Sequence, residues 1–370
     1  MAKSMEDIWG QLEKQHGDQG LFAGSENMYT FVDVIPTGSY LLDDALGIWG
    51  IPRGHIIQYA GFESSGKTFL SLTTIAEWQK KDPRNWAFFV DAEFTFDANW
   101  ASGLGVDLNR LFVYRENRLV NIFERLIGVP GAKPEAEKSK KGLLDLEKES
   151  GGTGLGLIVI DSIAAMQPPQ EETSAPGKNN IALLARALPA ELRKITSMLS
   201  DTGVTLICIN QLRTRPGIMY GNPEESPGGT TLKHSCAQMV HLAKMQGKDS
   251  KIEAGEETIG HHIKARIDKN KKAAPWRTAE IAIDFTKGIV NKNIEVRELG
   301  VKYGIISRPN NKTYELDGTK YNGKDAIAEA LLDEKLQANI MEKVKEAKEK
   351  MVKNNINIEN TTKDEVAEES

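Results

Sequence analysis

Gly61-Phe62-Glu63-Ser64-Ser65-Gly66-Lys67-Thr68 sets two glycines five residues apart and follows the second with a lysine and a hydroxyl. These residue types at this spacing are suited to holding a polyphosphate. The glycines let backbone N–H groups turn toward phosphate oxygens at a helix N-terminus, where the dipole favours negative charge. Lys67 would reach the β and γ phosphates and the Thr68 hydroxyl would ligate Mg²⁺, with Gly61, Glu63, Ser64, Ser65 and Gly66 forming the cradle. The reading demands an apolar strand before the loop and a helix after it. Residues 55–60 and the amphipathic stretch 67–80 supply both.

Three further strand ends carry polar groups. Leu157-Ile158-Val159-Ile160-Asp161-Ser162 is an apolar run closed by a carboxylate. Beside a phosphate loop Asp161 would hold the water shell of Mg²⁺, whereas alone it would read as a helix cap. Ala87-Phe88-Phe89-Val90-Asp91-Ala92-Glu93 ends in two acids. Glu93 lies where a base could orient a water for attack on the γ phosphate, but periodicity does not choose between it and Asp91, and one of them could cap a helix starting near Asp97. Thr205-Leu206-Ile207-Cys208-Ile209-Asn210-Gln211 ends in amides and runs into Leu212-Arg213-Thr214-Arg215-Pro216-Gly217, then a Gly- and Pro-rich stretch through Gly229. A long polar loop beside a nucleotide site is a candidate mobile element, in which Arg213, Arg215 and Lys233 could meet phosphate. A plain solvated loop is the alternative.

The net charge of −5 excludes a protein that binds nucleic acid through its overall field, so any such site must be local. Lys264, Arg266, Lys269, Lys271, Lys272 and Arg277 crowd together against Asp268 alone and are expected to meet phosphate, the alternative being a wet face. Adjacent His261 and His262 on a strand would point to opposite faces, so no histidine metal site is proposed. Cys208 and Cys236, the only cysteines, sit among apolar or small residues and read as buried reduced thiols.

Positioning these groups takes strands at 55–60, 86–91, 111–114, 155–160 and 204–209, alternating with helices at 67–80, 97–103, 119–127 and 181–200. Continuous apolar strands alternating with helices indicate an α/β fold whose central, mostly parallel sheet is covered on both faces. Residues 1–34 form a linker and a helix at 5–15 with Met5, Ile8, Trp9 and Leu12 on one face, which packs on its own domain or on another protomer. The core is expected at 35–290, with a solvated insertion at 128–154 that carries no chemistry. A small α+β domain is expected at 291–340, and a charged helix giving way to an acidic tail at 341–370. No stretch approaches the ~20 apolar residues that span a membrane, and nothing at the N-terminus reads as a secretory signal, so a cytoplasmic location is expected.

Taken in order, these segments resemble the bacterial RecA recombinases over about residues 5–340. Ile35-Pro36-Thr37-Gly38-Ser39, Leu42-Asp43, Ala45-Leu46-Gly47, the phosphate loop, Val90-Asp91-Ala92-Glu93, Gly221-Asn222-Pro223-Glu224 and Lys269-Asn270-Lys271 carry the resemblance. It implies a P-loop ATPase with ATP and Mg²⁺ as cofactors, stimulated by DNA. Such a protein coats single-stranded DNA as a helical filament and exchanges strands with a homologous double-stranded DNA in recombination and repair. It implies that Glu93 is the catalytic base, that Gln211 senses the γ phosphate and informs the following loop, and that Asp97 and Trp100 contact adenine. Phe285 would approach the nucleotide from the adjoining subunit. Lys269 and Lys271 would reach across the protomer interface to the neighbour's ATP, and the N-terminal helix would pack on the neighbour. Two DNA-binding loops would fall at about 168–181 and 212–230, with Arg186, Arg193, Arg213, Gly228 and Gly229 at matching positions. Backbone contacts of that kind give affinity without sequence preference.

The chain departs from the family's pattern at Pro216, in place of an apolar wedge residue, at Thr230, in place of an amide, at Pro189, in place of a hydroxyl residue, and in the 128–154 insertion. These bear on the geometry of DNA stretching and suggest a divergent member, such as a virus-encoded one. The alternative function is a filament-regulating or motor ATPase of the same fold without strand exchange. Intact Lys67, Glu93, Asp161, Gln211, Lys269 and Lys271 argue against a degenerate regulator. The separate N-terminal helix and small C-terminal domain argue against a ring-forming motor.

Overall fold

The computed structural model describes residues 14, 32–129, 140–172, 181–214, 224–225, 229–247 and 250–368. Residues 34–370 form one unit and 1–33 another. The helix expected at 5–15 lies, apart from Lys14, outside the described residues.

A two-strand ladder of β1 (Val34–Ile35) and β2 (Ile51–Pro52) leads into the main sheet. There β3 (Ile56–Gly61), β4 (Trp86–Asp91), β5 (Leu111–Arg115), β6 (Leu155–Asp161) and β7 (Thr205–Gln211) pair in parallel in the order β3-β7-β6-β4-β5. The helices among the described residues are α1 (Tyr40–Ala45), α2 (Lys67–Lys81), α3 (Ala98–Gly103), α4 (Leu119–Ile127), α5 (Leu143–Glu149), α6 (Pro169–Glu172), α7 (Ile181–Thr202), α8 (Gly229–Ser235), α9 (Lys292–Lys302), α10 (Lys324–Ala330) and α11 (Glu334–Glu368). β3 and β6 are buried at every position because helices cover both faces, which is why they read as unbroken apolar runs. Ile57, Tyr59, Phe89, Val159 and Ile207 face Leu70, Leu72 and Ile75 of α2. On the opposite face Ile56, Val90, Ile158 and Leu206 share a core with Ile122 and Phe123 of α4 and with Leu188, Leu192 and Ile195 of α7. Cys208 and Cys236 are free and buried in that second layer, where burial pushes the Cys236 thiol up to about 12.

The sheet continues past β3 into a limb whose strands are not delimited by the sequence pattern, though His261 and His262 are expected on one. β10 (Gln238–Lys244) runs parallel to β3, and β12 (Glu257–Asn270), β13 (Thr278–Asp284) and β14 (Gly288–Ile289) follow antiparallel, with β11 (Lys251–Ala254) on β12. Along β12, Ile263, Ala265 and Ile267 are buried while Lys264, Arg266 and Asp268 are exposed. This is the alternation of a half-buried strand, which the density of cations hides from a reading by composition.

The expectation of a bare solvated insertion at 128–154 is corrected. Helix α5 lies inside it and packs fully buried Leu144 against α4 and α7. Glu147, also buried, accepts the Thr153 N–H at 2.8 Å. Residues 130–139 lie outside the described residues.

After β14, α9, the antiparallel strands β15 (Ser307–Asn310), β16 (Thr313–Leu316) and β17 (Thr319–Asn322), and helices α10 and α11 enclose their own core, including Val296, Leu299, Tyr314, Leu316, Ile340 and Val344. α11 runs across the boundary expected at residue 340, and Ile340, Met341, Val344 and Lys348 are buried along it. Helix α1 is the seam to the main sheet. The Ser39 hydroxyl and Tyr40 N–H donate to the Glu295 carboxylate at 2.8 and 2.7 Å, while Lys348 and Tyr303 donate to Asp44 at 2.7 and 2.6 Å.

Candidate active site

The phosphate loop stands between β3 and α2, as its spacing requires. Gly66 caps α2 with a left-handed φ of 88°, a conformation that costs a residue with a side chain but not glycine. The Lys67 ammonium folds over the loop and donates to the Phe62 carbonyl at 2.6 Å. Burial lowers its affinity for a proton, opposed by the carboxylates of Asp161, Glu93 and Glu63. In the next helical position the Thr68 hydroxyl donates to Asp161 Oδ2 at 2.6 Å. Asp161 ends β6, one strand beyond β7, so the sheet order β3-β7-β6 itself brings the two together. Burial pushes the Asp161 carboxyl up to about 6, with Glu93 and Asp91 adding to the shift and the Thr68 bond and Lys67 opposing it.

Asp91 and Glu93, which periodicity leaves equivalent, have different surroundings. Asp91 is buried and accepts the Thr95 and Phe96 N–H groups at 2.9 and 3.1 Å, with Arg115 at 3.3 Å, so its carboxylate holds the turn into α3. Glu93 is exposed and accepts a 2.5 Å hydrogen bond from the Ser162 hydroxyl. Asp97 is the N-cap of α3, accepting the Asn99 and Trp100 N–H groups at 2.8 and 3.0 Å.

A cavity of about 290 Å³ runs from Ser64–Thr68 and Asp161 to Phe96, Asp97, Trp100, His261 and Phe285. One end is lined by backbone N–H groups, a cation and a hydroxyl, and the other by rings. That is the polarity of a nucleotide: phosphates on the loop, base among the aromatics. Phe285, expected to approach the nucleotide from an adjoining subunit, lines the cavity of its own chain, where its carbonyl accepts the Trp100 indole N–H at 2.8 Å. His261 and Ser162 were missed as site residues. Ser162 follows a strand-terminal acid and could have been suspected; His261 is expected on a strand and lies on one, β12, but the residue pattern weighs it only as a metal ligand.

Gln211 ends β7 directly opposite Gly61, and the next N–H, of Leu212, donates to the Gly61 carbonyl at 3.0 Å. The chain then enters a short ladder of β8 (Arg213–Thr214) with β9 (Glu224–Glu225). Arg186 and Arg193 are exposed on α7, Arg213 is exposed, and Gly229 and exposed Lys233 lie on α8. Arg215, Gly228 and most of both expected DNA loops lie outside the described residues.

The cationic run does not form one surface. Lys264 and Arg266 project from the exposed face of β12, where Arg266 pairs with Asp268 at 2.6 Å. Lys269 instead donates to the Lys233 and His234 carbonyls at 2.5 and 3.1 Å, and Lys271 to that of His234 at 3.2 Å. Both cap the C-terminus of α8, where the helix dipole favours a cation. Neither lines the cavity of its own chain.

Comparison with known families decides what kind of ATPase-like core this is. The RecA N-terminal domain family matches residues 3–290. The chain belongs to the RecA family. It is 36% identical over 332 residues to Protein RecA of Bacteroides thetaiotaomicron, covering 90% of this chain and 92% of that one. With Protein RecA of Porphyromonas gingivalis it shares 36% over 338 residues, covering 91% and 92%. With that of Thermus aquaticus it shares 35% over 346 residues, covering 92% and 94%. RecA-family proteins bind ATP, and the lining of the cavity between α2 and β13 has the polarity such a ligand needs. Among the described residues no helix is long and apolar enough to cross a membrane.

Proposed function

We propose that this chain is a DNA-dependent ATPase and homologous recombinase that forms helical filaments on single-stranded DNA and exchanges strands with a homologous duplex. The observation that carries the reading is the register of Gln211 against Gly61. One residue adjoins the phosphate loop through the sheet and opens the β8–β9 segment, so a change at the phosphates has a direct covalent route to a DNA-binding loop. Family membership supports the rest.

Within this reading Lys67 and the loop N–H groups hold the phosphates, Trp100 and Phe285 flank the base with Asp97 at the same end, and Glu93 polarises the attacking water. The Ser162 hydrogen bond fixes one Glu93 oxygen and leaves the other for that water. The Thr68 hydroxyl and the buried Asp161 carboxylate fit a hard divalent cation: they are adjacent oxygens, and Glu93 and Asp91 both burden Asp161 with negative charge. Mg²⁺ bound there would neutralise phosphate charge. Lys269 and Lys271, absent from the cavity of their own chain, serve the neighbour's nucleotide, so hydrolysis depends on assembly. Arg186, Arg193, Arg213, Arg215, Gly228, Gly229 and Lys233 contact the DNA backbone. The N-terminal 1–34 segment packs on the next protomer, and the protein works in the cytoplasm.

The test is ATP hydrolysis with and without single-stranded DNA, run beside strand exchange on a homologous duplex at one stated salt concentration. Stimulated hydrolysis with joint molecules is expected. Stimulation without exchange would replace this reading with a motor or regulator.

A further inference from the structure

His261 is 5% exposed, and neither of its ring nitrogens has a hydrogen-bond partner among the described residues. A buried polar group left unpaired forfeits the hydrogen bonds it would make in water, so natural interiors rarely keep one without a use. Its position supplies the use. His261 sits on β12 two residues before Ile263, whose side chain reaches the phosphate-loop glycine Gly66, so both point to the same face of the strand. That face is a wall of the nucleotide cavity, and the ring lies 5.4 Å from the Phe285 ring at its aromatic end.

We propose that His261 is a nucleotide-binding residue that hydrogen-bonds the nucleoside half of the ligand, in addition to the phosphate contacts of the loop. Burial lowers the imidazole's affinity for a proton, as do Lys244 and His262, which keeps it neutral. A neutral imidazole offers one donor and one acceptor, matching a base edge or sugar hydroxyl rather than a phosphate. Phosphate recognition on the loop and nucleoside recognition on β12 thereby become separable, and this inference rests on the cavity being a nucleotide site.

The experiment is calorimetric titration of the full chain with ADP and with inorganic tripolyphosphate, for the parent, His261→Leu and His261→Asn. Loss of one hydrogen bond should weaken ADP binding of His261→Leu by up to about tenfold, leave tripolyphosphate unchanged, and be largely restored in His261→Asn. ADP binding equal to the parent in His261→Leu would overturn the assignment. Equal weakening of ADP and tripolyphosphate would also overturn it, by showing that the substitution only disturbs the cavity. If the parent bound tripolyphosphate but not ADP, the nucleotide reading itself would fail.

Discussion

The Thr68 hydroxyl and the Asp161 carboxylate meet at 2.6 Å across the intervening strand β7, tying the first turn of α2 to the end of β6. The acid is held ready yet is reluctant to ionise, since its carboxyl is raised from 3.8 to about 6, chiefly by burial. The native state therefore binds this proton more tightly than the unfolded chain, and the carboxylate detracts from stability as pH rises from about 4 to 6. A cation site needs the ionised form. The Mg²⁺-dependent part of ADP affinity is expected to fall as pH drops from 7 to 5, approaching tenfold per unit below the carboxyl's pKa. Titrations with and without Mg²⁺ at each pH would check it, and Asp161→Asn should abolish the Mg²⁺ increment throughout. An increment flat from pH 7 to 5 would remove Asp161 from the metal site.

Lys67 and Glu93 separate binding from turnover. Lys67→Ala takes away the cation over the loop and should abolish measurable ATP binding. Glu93→Gln keeps an oxygen for the Ser162 hydroxyl but lacks the base, so ATP should still bind while turnover falls by about 10²- to 10⁴-fold. A DNA-bound filament that persists in ATP would accompany the loss. Parental hydrolysis by Glu93→Gln would transfer the base role elsewhere.

Lys269 and Lys271 allow a test of assembly. If they act on the neighbour, a Lys269→Ala/Lys271→Ala protein should bind ATP normally and yet hydrolyse it poorly on single-stranded DNA. Mixed with Lys67→Ala, which has intact lysines but no nucleotide, it should recover part of the activity, because some interfaces then combine a working loop with working lysines. Absence of recovery in mixed filaments, confirmed as mixed by labelled subunits, would confine both lysines to their own chain and to capping α8.

The parallel half of the sheet was legible because cover on both faces forces unbroken apolar strands, and the phosphate loop because its chemistry fixes its spacing. β12 was legible only at His261 and His262, since a one-sided strand alternates and its later exposed positions are cations that imitate a surface run. Helix α5 was hidden in the same way: Leu144 is fully buried, but lysines and acids surround it in sequence. The choice between Asp91 and Glu93 required three dimensions. Which carboxylate is consumed by the Thr95 and Phe96 N–H groups depends on how the chain turns after β4, not on the alternation of residues within it.

Asp44 and Lys348 set the attachment of the C-terminal helices. Their side chains are 3% and 8% exposed, their bond is 2.7 Å, and the ammonium also lies 4.4 Å from the Trp49 ring centre. Burial pushes the Asp44 carboxyl up, but the bonds from Lys302, Lys348 and Tyr303 outweigh it and leave it below its ordinary value. A carboxyl depressed in the folded state contributes stability above its unfolded pKa and loses it as pH falls through the folded one. Removing one member of a buried pair costs about 3–5 kcal/mol because it strands the other. Asp44→Ala, which leaves the buried Lys348 ammonium with the residue-44 backbone carbonyl at 3.0 Å but no carboxylate, should therefore lower the urea midpoint more than Lys348→Met, which leaves Asp44 with Lys302 and Tyr303. The double replacement Asp44→Leu/Lys348→Met should be less damaging than the sum of the single losses. If the two single variants unfold at the parental midpoint, the pair contributes nothing to holding α11 on α1.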